Sequence, residues 1–282
     1  MNDNRVGGDR VSHDRVPDDH VTLEWDERGG VTVHMDGSPQ SHVQPDDPTL
    51  LVFEYVQHLA LAISALPPGP LAVTHVGGAG LTLPRWVEAT RPDSPQIVLE
   101  PDEALTALVR KEIPLPRRHR IRVRPVDGLT GVCALGDGSA DVVVTDAYAG
   151  GRVPAELVSA AYVLEIFRVL KPDGVALWNL ADEPGMRYVA RVLATVRQCL
   201  PYVALIATHE VLKGKRFGNS VVVAGAAPLP METLRREVAR ANLPTGLREG
   251  AALERLVAGA KPLDDKGMQS PPAPEAGRWR AR

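Results

Sequence analysis

The chain has 282 residues, 44% of them hydrophobic and 24% charged, with a formal net charge of -3. That balance excludes the strongly basic surface that nonspecific nucleic-acid binding needs, and no nucleic-acid partner is expected. No apolar run reaches the roughly 18 residues of a membrane span, and the N-terminal stretch lacks the apolar core of a secretion signal, so a cytoplasmic protein without membrane contact is expected.

Residues 1–19 are rich in Asp, Arg, Gly and Asn without apolar periodicity, and a disordered tail is expected there. VTLEWD and VTVHMDG flank the turn ERGG and alternate β-branched with polar residues, which predicts a β-hairpin within an N-terminal β element at 20–48. Leu51, Tyr55, Leu59, Ala62 and Ile63 keep helical spacing, so a helix is expected over 48–65, ending at PPGP.

From Leu71 onward, the strand-like runs LAVTHV, PQIVLE, HRIRVRPV, ADVVVTDA and GVALWNLAD alternate with helical patterns at 81–91, 101–111, 154–170 and 184–199. Such alternation implies βαβ units and a doubly wound parallel sheet. VALIATHEVL and GNSVVVAGA follow with only the basic turn KGKRF between them and no helix, which reads as a closing antiparallel hairpin. A catalytic domain over 49–228, a helical segment over 229–261 and a disordered Pro-rich tail over 262–282 complete the expected organisation.

Arg118, Arg120, Arg122 and Arg124 alternate with Ile121 and Val123, which puts the arginines on one strand face; a solvated edge accounts for them, with an anionic docking patch as the alternative. Cys133 and Cys199 belong to no CxxC pair, so two reduced thiols are expected and no metal.

HVGGAGLTLPRWV joins the first strand of this series to a helix, where Gly77, Gly78 and Gly80 permit close backbone approach and the helix N-terminus offers N–H groups to a polar ligand. The spacing is not GxGxxG, and a tight βα turn explains it equally well. Glu100 ends the second strand, Asp127-Gly128 closes the third and Asp146 ends the fourth. Ligands of open α/β sheets bind at the carboxyl ends of the strands, so these three acids converge on one crevice. Each alone could be a helix cap or turn acid.

The ordered set Asp36-Gly37 with Gln40, Tyr55, GGAG, LEPD (Glu100, Asp102), VDG (Asp127, Gly128), VTDAYAGG (Asp146) and LKPDG (Lys171 to Gly174) resembles that of spermidine synthases and their bacterial spermidine-synthase-like relatives, over about residues 20–228. The resemblance implies a doubly wound, mostly parallel seven-stranded α/β sheet of the class I S-adenosylmethionine-methyltransferase-like Rossmann type, with the small N-terminal β-hairpin element. It implies further that S-adenosylmethionine or its decarboxylated form is the co-substrate, that Glu100 holds the ribose, and that Asp127 receives the adenine amino group. Gln40 would lie along the nucleoside tail and Asp146 would be the catalytic aspartate; Tyr55 and Tyr148 are candidate walls of the cavity, with plain core aromatics as the alternative. A small-molecule acceptor and a homodimer are the partners expected.

The acceptor half departs from the family pattern. Ala149 stands where a second Asp is usual, and Gly80 where an acid faces the aminopropyl ammonium. Val56 and Gln57 follow Tyr55 in place of His and Glu, and Lys213, Lys215 and Arg216 replace an aromatic amine-binding residue. Three functions therefore compete: an aminopropyltransferase with an unusual acceptor, an S-adenosylmethionine-dependent methyltransferase on a non-polyamine acceptor, and a nucleoside-binding protein without turnover. The three cations either rim the pocket or form a solvated turn.

Overall fold

A computed structural model describes residues 20–274; the tail expected at 1–19 lies outside the described residues. Val21–Trp25 (β1) and Val31–Met35 (β2) pair antiparallel as the alternation predicts. Asp36 and Gly37 then take φ of 49° and 72°, the conformation in which a two-residue turn matches the twist of paired strands. The chain accordingly folds back again as Ser38–Val43 (β3), and the expected hairpin is a three-stranded antiparallel sheet.

The main sheet has eight strands. In chain order they are Val73–Val76 (β4), Gln96–Leu99 (β5), Ile121–Arg124 (β6), Ala140–Thr145 (β7), Leu170–Asp182 (β8), Tyr202–Thr208 (β9), Gly218–Gly225 (β10) and Thr245–Arg248 (β11). Across the sheet the order is β11-β9-β10-β8-β7-β4-β5-β6. The pairs from β6 through β8 are parallel, while β10 runs antiparallel to both β8 and β9. This is the doubly wound, mostly parallel α/β architecture with one strand more than expected. The additional strand, β11, pairs antiparallel with β9 inside the stretch read as wholly helical.

The helices are Glu54–Ser64 (α1), Thr82–Thr90 (α2), Glu103–Glu112 (α3), Gly128–Cys133 (α4), Ala160–Val169 (α5), Arg187–Val196 (α6), His209–Leu212 (α7), Met231–Ala239 (α8) and Gly250–Val257 (α9). Side-chain alternation along β7 sorts them into two layers. Val143 packs with Val132, Ile166, Val189 and Leu253 of α4, α5, α6 and α9. Val142 and Val144 face the opposite way, toward Leu59 of α1, Val87 of α2 and Leu234 of α8. A third cluster joins Val21 and Val33 of the small sheet to Leu81, Val98 and Leu105, fastening that sheet over the β4–β5 end. Each of these buried aliphatic side chains stabilises the fold by roughly 1.5–3 kcal/mol before entropy is counted.

Several boundaries differ from the sequence reading for local reasons. The α1 helix begins at Glu54, because residues 48–53 run extended or in turns. Residues 154–170 divide into a 3-10 turn, Ala155–Val158, and α5, since Ser159 caps the latter by accepting from the amide of Tyr162. The short α7 stands between β9 and the KGKRF turn, where no helix is expected. Residues 262–274 are not a free tail: the Leu263 amide donates to Thr195 Oγ1 at 2.8 Å and the Val153 amide to Ser270 Oγ at 2.9 Å, with Leu263 and Ser270 both buried. Two such anchors hold a segment whose proline and charge content alone gives no core signal. On the far edge, Arg122 and Arg124 of β6 are exposed and Ile121 is buried, as a solvated strand face requires. Cys133 and Cys199 are unpaired thiols. No helix among the described residues is long and apolar enough to cross a membrane.

Candidate active site

The C-terminal ends of β4, β5 and β7 bring the predicted groups together. Gly77, with φ +87°, passes so close to β7 that a Cβ there would stand 2.2 Å from the carbonyl oxygen of Asp146. The loop and Asp146 are therefore in direct contact only because residue 77 is glycine. A Cβ at Gly128 would meet Val76 Cγ1 at 2.3 Å, so the first turn of α4 needs glycine for the same reason.

Glu100 folds under the loop. Its Oε2 accepts from the amides of Gly78 at 3.0 Å and Ala79 at 3.4 Å, and its Oε1 accepts from the amide of Asp102 at 3.1 Å. Asp102 caps α3 through the amide of Leu105 and contacts His20 Nε2 at 2.7 Å. The rest of the loop is also satisfied internally: Gly77 donates to the Leu99 carbonyl, Gly80 to Ser41 Oγ and Leu81 to the Gly78 carbonyl. Within this turn the amides of residues 77–81 are therefore engaged by the protein itself. The loop amides are spent on Glu100 and the small sheet, which leaves the carboxylate as the polar group available to a ligand. An ionised carboxyl accepts about four hydrogen bonds, and here three positions are taken.

Asp127 caps α4, accepting from the amide of Thr130 at 2.9 Å, and this backbone bond holds its carboxyl below the usual range. It is exposed on the same end of the sheet. The Gly80 amide points at the small sheet, and a Cβ at 80 would meet Ser41 Oγ at 2.4 Å and Val43 Cγ2 at 2.9 Å, so this position faces β3. Gln40 lies on β3, where its backbone carbonyl accepts from Tyr55 Oη at 3.0 Å. That bond ties the small sheet to the start of α1.

The other half of the site centres on Asp146. Burial pushes its carboxyl up to about 6, opposed by a hydrogen bond from Asn179 Nδ2 to Oδ1 at 2.8 Å. Burial, and next the charge of Asp146, push the phenols of Tyr55 and Tyr148 well above their ordinary range, which locates both rings around this carboxylate. Tyr148 Oη donates to the Asn179 carbonyl at 3.3 Å and accepts from Asn219 Nδ2 at 3.1 Å. Asn179 and Asn219 escape the sequence reading. The only hint of Asn179 is a polar residue inside the apolar run VALWNLA, and nothing in the sequence pairs it with Asn219.

Lys213 and Lys215 project from an exposed turn, whereas Arg216 pairs with Glu54 at 2.6 Å and Glu210 at 3.3 Å. Ala149 is exposed in a tight turn with Arg152. Among the described residues no group of three or more His, Cys, Asp or Glu could hold a metal ion.

No family model matches the chain. A stretch of 158 residues is 23% identical to the polyamine aminopropyltransferase of Neisseria meningitidis serogroup A, covering 55% of this chain and 60% of that protein's length. The structure superimposes on a probable spermidine synthase from Corynebacterium glutamicum with a TM-score of 0.80 and 26% identity, over 90% of this chain and 95% of the other. The spermidine synthase of Thermotoga maritima, with a TM-score of 0.55 and 15% identity over 85% of this chain and 88% of its own, shares the fold. The ordered motifs running from the Asp36-Gly37 turn to Asp146 and these likenesses point the same way: the chain is similar to spermidine synthases in motif order and in fold.

Proposed function

We propose that the protein is a transferase that binds an S-adenosylmethionine-type donor and moves the aminopropyl group of decarboxylated S-adenosylmethionine to an amine that is not a strongly cationic diamine. The observation that carries this reading is the meeting of a loop-buttressing carboxylate, Glu100, with a desolvated carboxylate, Asp146, across the glycine contact at Gly77. The donor supplies a carbon made electrophilic by the adjacent sulfonium and leaves as methylthioadenosine.

The roles of the chain's own residues follow from their chemistry. Glu100 has one acceptor position left and can release the long 3.4 Å contact with Ala79 to take a second ribose hydroxyl. Asp127, exposed beside it, supports the adenine role. Gln40 and Tyr55, joined by their hydrogen bond, close the side under the small sheet. Asp146 acts last. A carboxyl poised near 6 is mostly ionised at neutral pH yet basic enough to accept a proton, so it can take the ammonium proton of the arriving acceptor and hold the nitrogen in line with the reacting carbon. One C–N bond forms, one C–S bond breaks, and the acceptor's proton ends on the carboxylate.

The acceptor preference rests on what surrounds Asp146. Its carboxylate accepts from the Asn179 amide, the phenols of Tyr55 and Tyr148 interact with its charge, and the loop position that would carry a second acid is Ala149. At about 5 Å and an effective dielectric near 20, each missing carboxylate forfeits roughly 3 kcal/mol of attraction for a dication.

One observation keeps a methyl-transfer reading alive: position 80 faces the small sheet and presents no acid that would repel the carboxylate of intact S-adenosylmethionine. Calorimetric titration with S-adenosylmethionine, its decarboxylated form and methylthioadenosine separates the readings. Tighter binding of the decarboxylated donor, with methylthioadenosine released on adding amines, is expected. Preference for the intact donor selects the methyl-transfer reading, and binding without turnover of any amine selects a nucleoside-binding protein.

A further inference from the structure

Asn179 on β8 and Asn219 on β10 lie on neighbouring antiparallel strands. Asn179 is opposite Val221 and Asn219 is opposite Ala181, so the two asparagines are diagonal neighbours on one face of the sheet. The hydrogen bonds between them have only one consistent direction. Tyr148 Oη spends its single proton on the Asn179 backbone carbonyl, so its oxygen must accept, and Asn219 must present its amide nitrogen. That same Nδ2 donates to Asn179 Oδ1 at 3.0 Å, which turns the Asn179 carbonyl toward Asn219. The Asn179 amide nitrogen is thereby left facing Asp146, where it donates to Oδ1.

We infer that Asn219 is a positioning residue which, acting through Asn179, holds Asp146 with Oδ1 as an obligate acceptor and leaves Oδ2 to receive the proton of the acceptor substrate. This rests on the aminopropyl-transfer reading for its catalytic meaning and on the geometry above for the relay itself. A carboxyl whose Oδ1 already accepts from a fixed N–H takes a proton preferentially on the less engaged oxygen, so Oδ2 does the chemistry. Without the relay the Asn179 amide could turn over and offer its carbonyl to Asp146, which satisfies that contact only with a protonated carboxyl. The titratable groups coupled to Asp146 are Tyr55 from α1 and Tyr148 from its own loop, and Tyr148 is coupled in turn to Tyr188 of α6. All three are phenols, which stay neutral over the range in which Asp146 titrates. The burden of favouring the ionised carboxylate falls on the Asn179 donor.

The test follows the Asp146 carboxyl directly in the full chain. With aspartate labelled by 13C at the side-chain carboxyl, and the Asp146 signal assigned by its loss in Asp146→Asn, the wild-type midpoint is expected near about 6. Asn179→Leu should raise it by about one unit, a tenfold change in the ionisation constant. Asn219→Leu, which touches neither Asp146 nor any proposed nucleoside contact, should raise it by about half a unit, and the double variant should titrate like Asn179→Leu alone. Asn219→Ala carries the same expectation if the leucine variant does not fold. The acidic limb of kcat/KM should move in parallel. An Asp146 midpoint unchanged in the folded Asn219 variants, or shifts that simply add in the double variant, overturns the relay. Failure of the aminopropyl-transfer reading shows separately, as a wild type that binds donor but releases no methylthioadenosine, and the carboxyl titration still decides the relay in that case.

Discussion

The two halves of the site are built from different materials. On the β4–β5 side, recognition rests on backbone amides, a carboxylate and glycines that let segments touch: Glu100 under Gly78 and Ala79, Asp102 capping α3 and Asp127 capping α4. On the β7–β8–β10 side it rests mainly on side chains, an amide and phenol network around one half-buried carboxylate. Charge is retained on the first side and, Asp146 apart, neutralised on the second. The contrast teaches that donor binding and acceptor choice are separable here, because changing side chains on β8 or β10 leaves the loop geometry of the other half untouched.

The sharpest way to break that separation is at Asp146. Asn is nearly isosteric and still accepts from Asn179, but it cannot take a proton, so Asp146→Asn should lose roughly 10²-fold or more in turnover while binding methylthioadenosine as the wild type does. Single-turnover kinetics beside calorimetry reads both. Loss of nucleoside affinity in proportion to turnover would show that the halves are one unit.

Next in size is Glu100. Replacement by Ala should weaken every adenosine ligand by roughly 1.5–3 kcal/mol through lost charge-assisted bonds to the ribose. Because the same carboxylate satisfies the amides of Gly78, Ala79 and Asp102, the variant should also lose thermal stability, which Glu100→Gln recovers only in part. Unchanged affinity for methylthioadenosine in Glu100→Ala would remove this residue from the donor site. A smaller effect is expected on the other side. Putrescine should be a poor acceptor, with a Michaelis constant above the micromolar range, and Ala149→Asp should improve it by up to about tenfold, less than the full Coulomb value because the position is exposed. Micromolar putrescine in the wild type would mean that the neutral half binds polycations after all.

The same division governs what the sequence made legible. The parallel core was readable because β4, β5 and β7 are runs of β-branched and aliphatic residues that no loop would tolerate, and three strands or the loops just after them supply an acid at a place where such sheets bind ligands. In contrast, β3 announces itself only by the Asp36-Gly37 dipeptide, since SPQSHV contains a proline and no alternation. The edge strand β11 is four residues with a glycine, and its identity comes from pairing with β9. Asn179 and Asn219 stayed hidden for a related reason: the register of β8 against β10 creates their contact, and a register one residue away would place Asn219 on the opposite face. The consumption of the loop amides was equally unreadable, because Ser41 and Glu100 reach them from other elements.

The smallest expected effect sharpens the comparison from the side of stability. The Asp146 carboxyl titrates near about 6 when folded and near 3.8 in the unfolded chain, so the folded state binds the proton more tightly. Stability is then unaffected by this group below about 3.8, falls as pH rises between the two values, and carries the full penalty above 6. Asp146→Asn removes the titration. Its thermal midpoint should equal that of the wild type at pH 4 and exceed it at pH 8, by an amount corresponding to about 1 kcal/mol once partial solvent access is allowed for. A flat stability difference between Asp146→Asn and wild type across this range would mean that water reaches Asp146 freely. The second half of the site would then lack the desolvated base that distinguishes it from the first.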